Sequence, residues 1–250
     1  MTDADLTRFG ESLARIDDEV HWDEIARAVC AGDAEGFFSK ERRDAILDAG
    51  LKHAADVGDS LESADPRKQG SSLYIGAATF ELAPLLFESI VLKRRVCWIT
   101  LPGPEATEFA RALHAVDPDL PSPRTGLWNP RQVGPATHLW MASVLTDPDA
   151  FPALHDELYG RRGGPMAVGG GRPKAERQRA RELVERCLDA LAPEALLTTS
   201  ADELQVWGPL IEERGGRLEV SAKGRTSGLV GDVLHQARVS LPKAPGRGRH

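Results

Sequence analysis

The stretch Ser72-Leu-Tyr-Ile-Gly-Ala-Ala-Thr-Phe-Glu-Leu-Ala-Pro-Leu-Leu-Phe87 carries an apolar strand through one glycine into a leucine pattern of helical spacing. A tight strand-to-helix turn lets a ligand approach the backbone where no Cβ intrudes, and glycine permits that turn. The pattern predicts a nucleotide-type cofactor site at Gly76. The plainer reading of the same glycine, a close-packing point between strand and helix, stands beside it.

Working outward toward the C-terminus, short apolar runs alternate with amphipathic stretches, which predicts strand-helix units around a mostly parallel sheet. Strand one spans about 72–77, and Leu82, Leu85, Leu86 and Ile90 mark the helix after it. Strand two spans Val96 to Leu101. Gly103, Pro104 and Glu105 then read as cap, first helical position and acidic first turn of a helix that buries Phe109, Ala112, Leu113 and Val116. The proline-rich stretch Asp117 to Gly134 admits a short strand near Leu127-Trp128. His138 to Leu145 reads as a buried strand, with His138 at the strand edge, and a helix follows from about Ala150 to Tyr159.

Six of the twelve residues from Gly160 to Gly171 are glycine, the composition of a mobile loop. A long helix begins near Pro173, with Leu183, Val184, Cys187, Leu188 and Leu191 inward and Lys174, Arg177, Arg179 and Arg181 outward. Its basic face could meet a phosphate-bearing partner, but Glu176, Glu182 and Glu185 are interleaved, so a solvated face with local ion pairs is the simpler reading. Strand Ala195 to Thr199 leads to a helix started by Asp202, interrupted at Gly208-Pro209 and ended at Arg214-Gly-Gly216. Arg217 to Ala222 and Asp232 to Val239 are expected to pair as an antiparallel edge.

Toward the N-terminus, residues 1–66 read as a helical extension. Trp22, Ile25, Ala26 and Val29 form one stripe before a stop at Gly32. Ser39 caps a second helix with Ala45, Ile46, Ala49 and His53 inward, ended by Gly58. The connector is Ser63 to Gly70. Residues 67–241 form the α/β domain, and 242–250 read as a disordered basic tail.

Composition narrows the function classes. The 250 residues hold 31 basic and 38 acidic side chains, a net charge of −7, which argues against a nucleic-acid partner spread over the surface. Three widely spaced cysteines imply neither a disulfide framework nor a zinc ribbon. The first residues have neither a basic start nor an apolar run, and no apolar run is long enough to span a membrane, so a cytoplasmic chain is expected. The histidines form no recognisable metal pattern, His155-Asp156 reads as a surface pair, and no metal site is expected. Neither a G-x-S-x-G elbow nor a phosphate loop is present. Trp98, Trp140 and Trp207 are expected in the core.

Helices first, then alternating strands and helices, then a closing hairpin with no helix between its strands: this order resembles the class I S-adenosylmethionine-dependent methyltransferase family from about residue 70 onward. The resemblance implies a three-layer, Rossmann-like methyltransferase-type α/β fold, with S-adenosylmethionine as cofactor and Gly76, Ala78, Thr79, Thr100, Leu101, Ser143 and Leu145 as its binding residues. Thr146 would line the same pocket. Where the family reads acid, Gly, Gly, Gly at alternate places, this chain has Tyr74, Gly76, Ala78 and Phe80. The ribose-binding acid usual at the end of strand two is replaced by Ile99-Thr-Leu-Pro-Gly, with Glu105 beyond it. His138 replaces the acid usual near the start of the later strand, and Asn129-Pro130 does not complete a substrate motif. Three readings follow: methyl transfer to an unknown small-molecule or protein substrate, with no general base named; a catalytically inactive methyltransferase-like protein acting as an interaction or assembly subunit; or a site for another adenine-containing ligand.

Overall fold

The computed structural model describes residues 2–29, 34, 36–64, 70–126, 134–229 and 231–242. Gly32, most of the expected connector, Leu127-Trp128, Asn129-Pro130 and the tail from Lys243 lie outside the described residues. The chain divides into two compact units, Met1–Trp128 with Thr226–Gly231, and Asn129–Arg225 with Asp232–His250.

In the first unit, three helices precede the sheet: α1 Asp3–Glu19, α2 Trp22–Val29 and α3 Lys40–Ala64. They pack against the helical segments that follow β1 and β2. Phe9 of α1 meets Phe87 edge-on at 5.5 Å, and Trp22 of α2 meets Phe109 at 6.2 Å. Ser39 does cap α3, its Oγ accepting from the Arg42 amide. The helix then runs past Gly58, because Gly58 is a packing position: a Cβ there would lie 3.0 Å from the Phe87 ring. Its inner stripe is Ile46, Gly50, His53, Ala54, Val57 and Leu61, while Ala45 is exposed, so the expected register was partly wrong.

β1 Ser71–Ile75 is buried throughout, as a strand covered on both faces should be. It pairs in parallel with β2 Arg95–Thr100, which pairs in parallel with β3 Arg124–Thr125. Between β1 and β2 lie α4 Leu82–Leu86 and the π-helical turn Phe87–Val91. That turn carries Glu88 into the core, where Tyr74 and Ser72 donate to its carboxylate and Arg94 pairs with it at 3.0 Å. Tyr74, standing where the resemblance has an acid, thus reaches an acid from another element. Helix α5 Pro104–Val116 starts at Gly103 and buries Phe109, Ala112, Leu113 and Val116 as the spacing predicts.

In the second unit, β4 Ala136–Met141 pairs in parallel with β5 Leu191–Ser200, and β7 Val233–Ser240 pairs antiparallel with β5. β6 Arg217–Thr226 lies outside β7, making the order β4-β5-β7-β6. It is a largely exposed edge carrying Arg217, Glu219, Lys223 and Arg225, charges that discourage further strand pairing. His138 is an interior residue of β4, fully buried, with Nε2 3.0 Å from Thr198 Oγ1 of β5; the edge position expected for it is corrected. The helices are α6 Pro152–Leu158, α7 Pro173–Ala190 and α8 Leu204–Glu213. Pro209 sits inside α8 without interrupting it, and Gly215, at φ +71°, ends it. The fold is α/β and Rossmann-like: parallel strands joined through helices, closed by a C-terminal strand pair that brings β7 antiparallel to β5. Trp98, Trp140 and Trp207 are core residues. Among the described residues, no helix is long and apolar enough to cross a membrane.

The basic face of α7 is locally neutralised: Arg177 pairs with Glu157, and Arg181 pairs with Glu185 and Glu213. Glu176 departs from the expected surface pattern. It is buried and accepts from the Leu154 and Arg172 amides. His155 and Asp156 are likewise buried instead of forming a surface pair. Asp156 accepts from the amides of Val168 and Gly169, anchoring the glycine-rich segment read as a mobile loop. Those two donors hold its carboxyl below the usual range.

Candidate functional site

The predicted cofactor residues fall at three strand ends, those of β1 and β2 in the first unit and that of β4 in the second. In the first unit, Gly76 follows β1 at φ +69°, a left-handed conformation that strains other residues. Its amide donates to Ile99 O at 2.8 Å, locking the turn to the end of β2. The Ala77 carbonyl accepts from the indole of buried Trp98 at 2.9 Å. Ala78 N donates to Glu81 Oε2 at 2.9 Å, and the Thr79 amide and hydroxyl both donate to Glu105 Oε1. The turn is therefore held by side chains from three elements before any ligand arrives.

Burial raises the Glu105 carboxyl above its usual value, against the two Thr79 hydrogen bonds that lower it. Phe80 turns away from the turn into the helical core, its ring edge-on to His53 at 5.2 Å. Thr100 ends β2 opposite Thr125, half-buried. Leu101 follows it with 69% of its surface exposed, an apolar side chain held at the carboxyl end of the strand. Gly76, Ala78, Thr79, Thr100 and Leu101 thus belong to one rim.

In the second unit, Ser143 follows β4 at φ +58°, an unfavourable conformation for a side chain with a Cβ. Two backbone amides fix it there: Ser143 N donates to Glu203 Oε2 at 3.1 Å, and Leu145 N donates to Glu203 Oε1 at 2.6 Å. Thr199 Oγ1 donates to the same carboxylate at 2.9 Å. Burial raises the Glu203 carboxyl, while these donors oppose the shift. The Leu145 side chain is fully buried in this unit's core and presents no surface to a ligand.

Ser143 Oγ donates to Asp232 Oδ2 at 2.6 Å, and Tyr159 OH donates to Asp232 Oδ1 at 2.6 Å. Sequence reasoning missed Trp98, Glu81, Glu203, Tyr159 and Asp232. The available signals were weak ones: an indole needing an acceptor near a turn, and an acid three residues after a buried strand.

His21, Glu24 and Glu108 place their ligand atoms within 4.8 Å of one another. Glu108 is already paired with Arg111 at 2.7 Å, so the group reads as an ion-pair cluster.

No protein-family model matches the sequence, and no curated protein matches it. Among solved structures, the chain is similar to precorrin-6y C5,15-methyltransferase from Geobacter metallireducens at 11% identity and a TM-score of 0.43, over 69% of this chain and 80% of that one. A cofactor-bound protein from MTB gives 11% identity and a TM-score of 0.45, over 96% and 92%. TYW2 of P. horikoshii in complex with MeSAdo gives 11% and 0.41, over 71% of this chain and 58% of that one. At such values the likeness bears no weight on activity, and the fold rests on the chain's own strands and turns.

Proposed function

We propose that the chain binds S-adenosylmethionine at the turn after β1 and is a methyltransferase whose acceptor is unknown. The observation that carries this reading is the charge of the turn. Where a phosphate-binding loop offers free amides, this turn has those of Ala78 and Thr79 closed by the carboxylates of Glu81 and Glu105. A phosphate would meet like charge, at about 4 kcal/mol for a pair 4 Å apart near a protein surface. A ligand carrying ammonium and sulfonium charge meets the opposite sign. Exposed Leu101 offers an apolar face to an adenine ring, and Gly76 allows close approach of the backbone. The residues fit the group, and Phe80 does not obstruct it.

When bound, the cofactor supplies an electrophilic methyl group, and the chain's part is to hold and orient it. The same reading keeps the chain in the cytoplasm, with Cys97 and Cys187 as free thiols.

A second reading, a catalytically inactive member of the fold, draws on the same closed amides, since Ala78 N and Thr79 N are no longer available to a ligand. Thermal denaturation separates the two. A ligand at one hundred times its Kd stabilises by about 2.7 kcal/mol. S-adenosylmethionine and S-adenosylhomocysteine at millimolar concentration are expected to raise Tm in the unaltered chain and not in Gly76→Val. An unchanged Tm with both ligands leaves the inactive reading.

A further inference from the structure

The glycine-rich segment between α6 and α7 runs against the charge of the chain as a whole. Residues 161–174 hold four basic side chains, Arg161, Arg162, Arg172 and Lys174, and no acid. The acids on either side are turned inward or already paired: Asp156 accepts from the Val168 and Gly169 amides, Glu176 from those of Leu154 and Arg172, and Glu157 pairs with Arg177. Among the described residues, Arg162, Arg172 and Lys174 are exposed and have no carboxylate partner. Asp156 also gathers the loop. Its backbone carbonyl accepts from the Arg161 and Arg162 amides, so both ends of 161–169 meet at one residue. Gly171 fixes the exit at φ +72°, where a Cβ would lie 2.9 Å from Ala153 N and overlap the Glu176 carboxylate. Between these pins stand Met166, 70% exposed, and Val168, 51% exposed. Two large apolar side chains are thus held in water, two residues apart, with cations before and after them in the chain.

We propose that this loop docks the protein reversibly onto an anionic lipid surface, Met166 and Val168 entering the interface while Arg162, Arg172 and Lys174 reach the head groups. Both halves of the loop's chemistry select that partner. A lipid interface offers anionic groups at its surface and hydrocarbon beneath them, so protruding side chains need no shaped pocket to receive them. A nucleic acid would use the cations but leave Met166 and Val168 without a role. The aromatic ring closest in the chain, Tyr159, already carries Arg161 at 4.7 Å instead of a free face for a base. Charge also sets the orientation. With four positive charges in this segment, the net of −7 leaves the rest of the chain at −11, which an anionic surface repels. The inference does not rest on the cofactor reading.

The test is flotation of the full chain with excess vesicles of phosphatidylcholine, with and without phosphatidylserine. Binding is expected only with phosphatidylserine, and it should weaken as salt is raised. Arg162→Gln and Arg172→Gln are each expected to weaken it about fivefold. Met166→Ser combined with Val168→Ser is expected to weaken it about tenfold or more, with the denaturant midpoint of the unaltered chain retained. Absence of flotation, equal flotation with both vesicles, or a serine pair that floats like the unaltered chain would overturn the proposal. Fluorescence anisotropy with single-stranded RNA is the parallel arm. RNA binding that survives the serine pair, with the vesicles left unbound, would assign the cations to a nucleic acid and overturn it as well. The S-adenosylmethionine thermal shift is read without lipid, so failure of the docking loop and failure of the cofactor reading are distinguishable.

Discussion

After β1 the chain turns at Gly76 with φ +69°, and after β4 it turns at Ser143 with φ +58°. Both turns have their amides closed by carboxylates, Glu81 and Glu105 at the first and Glu203 at the second. The first places glycine where left-handed geometry is needed and stores little strain. The second places a serine there, at a cost of about 1–2 kcal/mol, and uses its hydroxyl to hold Asp232. The difference separates a turn shaped for close approach by a ligand from one that spends backbone strain on aiming a side chain.

The largest expected difference lies in the carboxylates. Glu203 is fully buried and accepts from three amides and a hydroxyl, so Glu203→Ala strands several buried donors and is expected to destabilise by about 3–5 kcal/mol in urea unfolding. Glu105→Ala, which releases only Thr79, is expected to cost about 1–2 kcal/mol. Equal costs would remove the distinction.

Backbone substitutions come next. Gly76→Ala is expected to destabilise by about 1–2 kcal/mol, whereas Ser143→Gly is expected to be about 1 kcal/mol more stable than Ser143→Ala, because both lose the hydroxyl and only glycine relieves the strain. A Ser143→Ala variant at least as stable as Ser143→Gly would mean that the serine turn is unstrained.

The smallest effect is in pH. The folded carboxyl of Glu105 is raised above its unfolded value, so its contribution is full below the unfolded pKa and is lost as pH rises through the folded one. Glu105→Gln stays neutral and still accepts from Thr79. Its stability relative to the unaltered chain is therefore expected to increase as pH rises from mildly acidic to neutral. Denaturant midpoints across that range check this, and a constant or shrinking difference would show that Glu105 is not a desolvated acid.

Where local chemistry decided the outcome, the sequence was legible. Gly103-Pro104-Glu105 announced α5, the leucine spacing after Gly76 announced the buried face of α4, and the two strands without an intervening helix announced the β6-β7 pair. Gly58 misled because a packing glycine inside a helix and a terminating glycine look alike until the Phe87 ring is placed. The candidate site was legible at its turns and silent about its partners. Ser143 meets Glu203 across 60 positions and Asp232 across 89, separations that no helical or strand period encodes. Trp98 was recognised as core, but its hydrogen bond to Ala77 depends on the register of two strands. Glu88, an acid inside an apolar run, was a usable sign of a buried ion pair.

The central claim concerns the charge of the ligand that the β1 turn accepts. Calorimetric titration of one protein preparation with S-adenosylmethionine and, in parallel, with ATP tests it most directly. The account predicts saturable binding of S-adenosylmethionine and none of ATP at the same concentrations; binding of ATP with S-adenosylmethionine silent would contradict it.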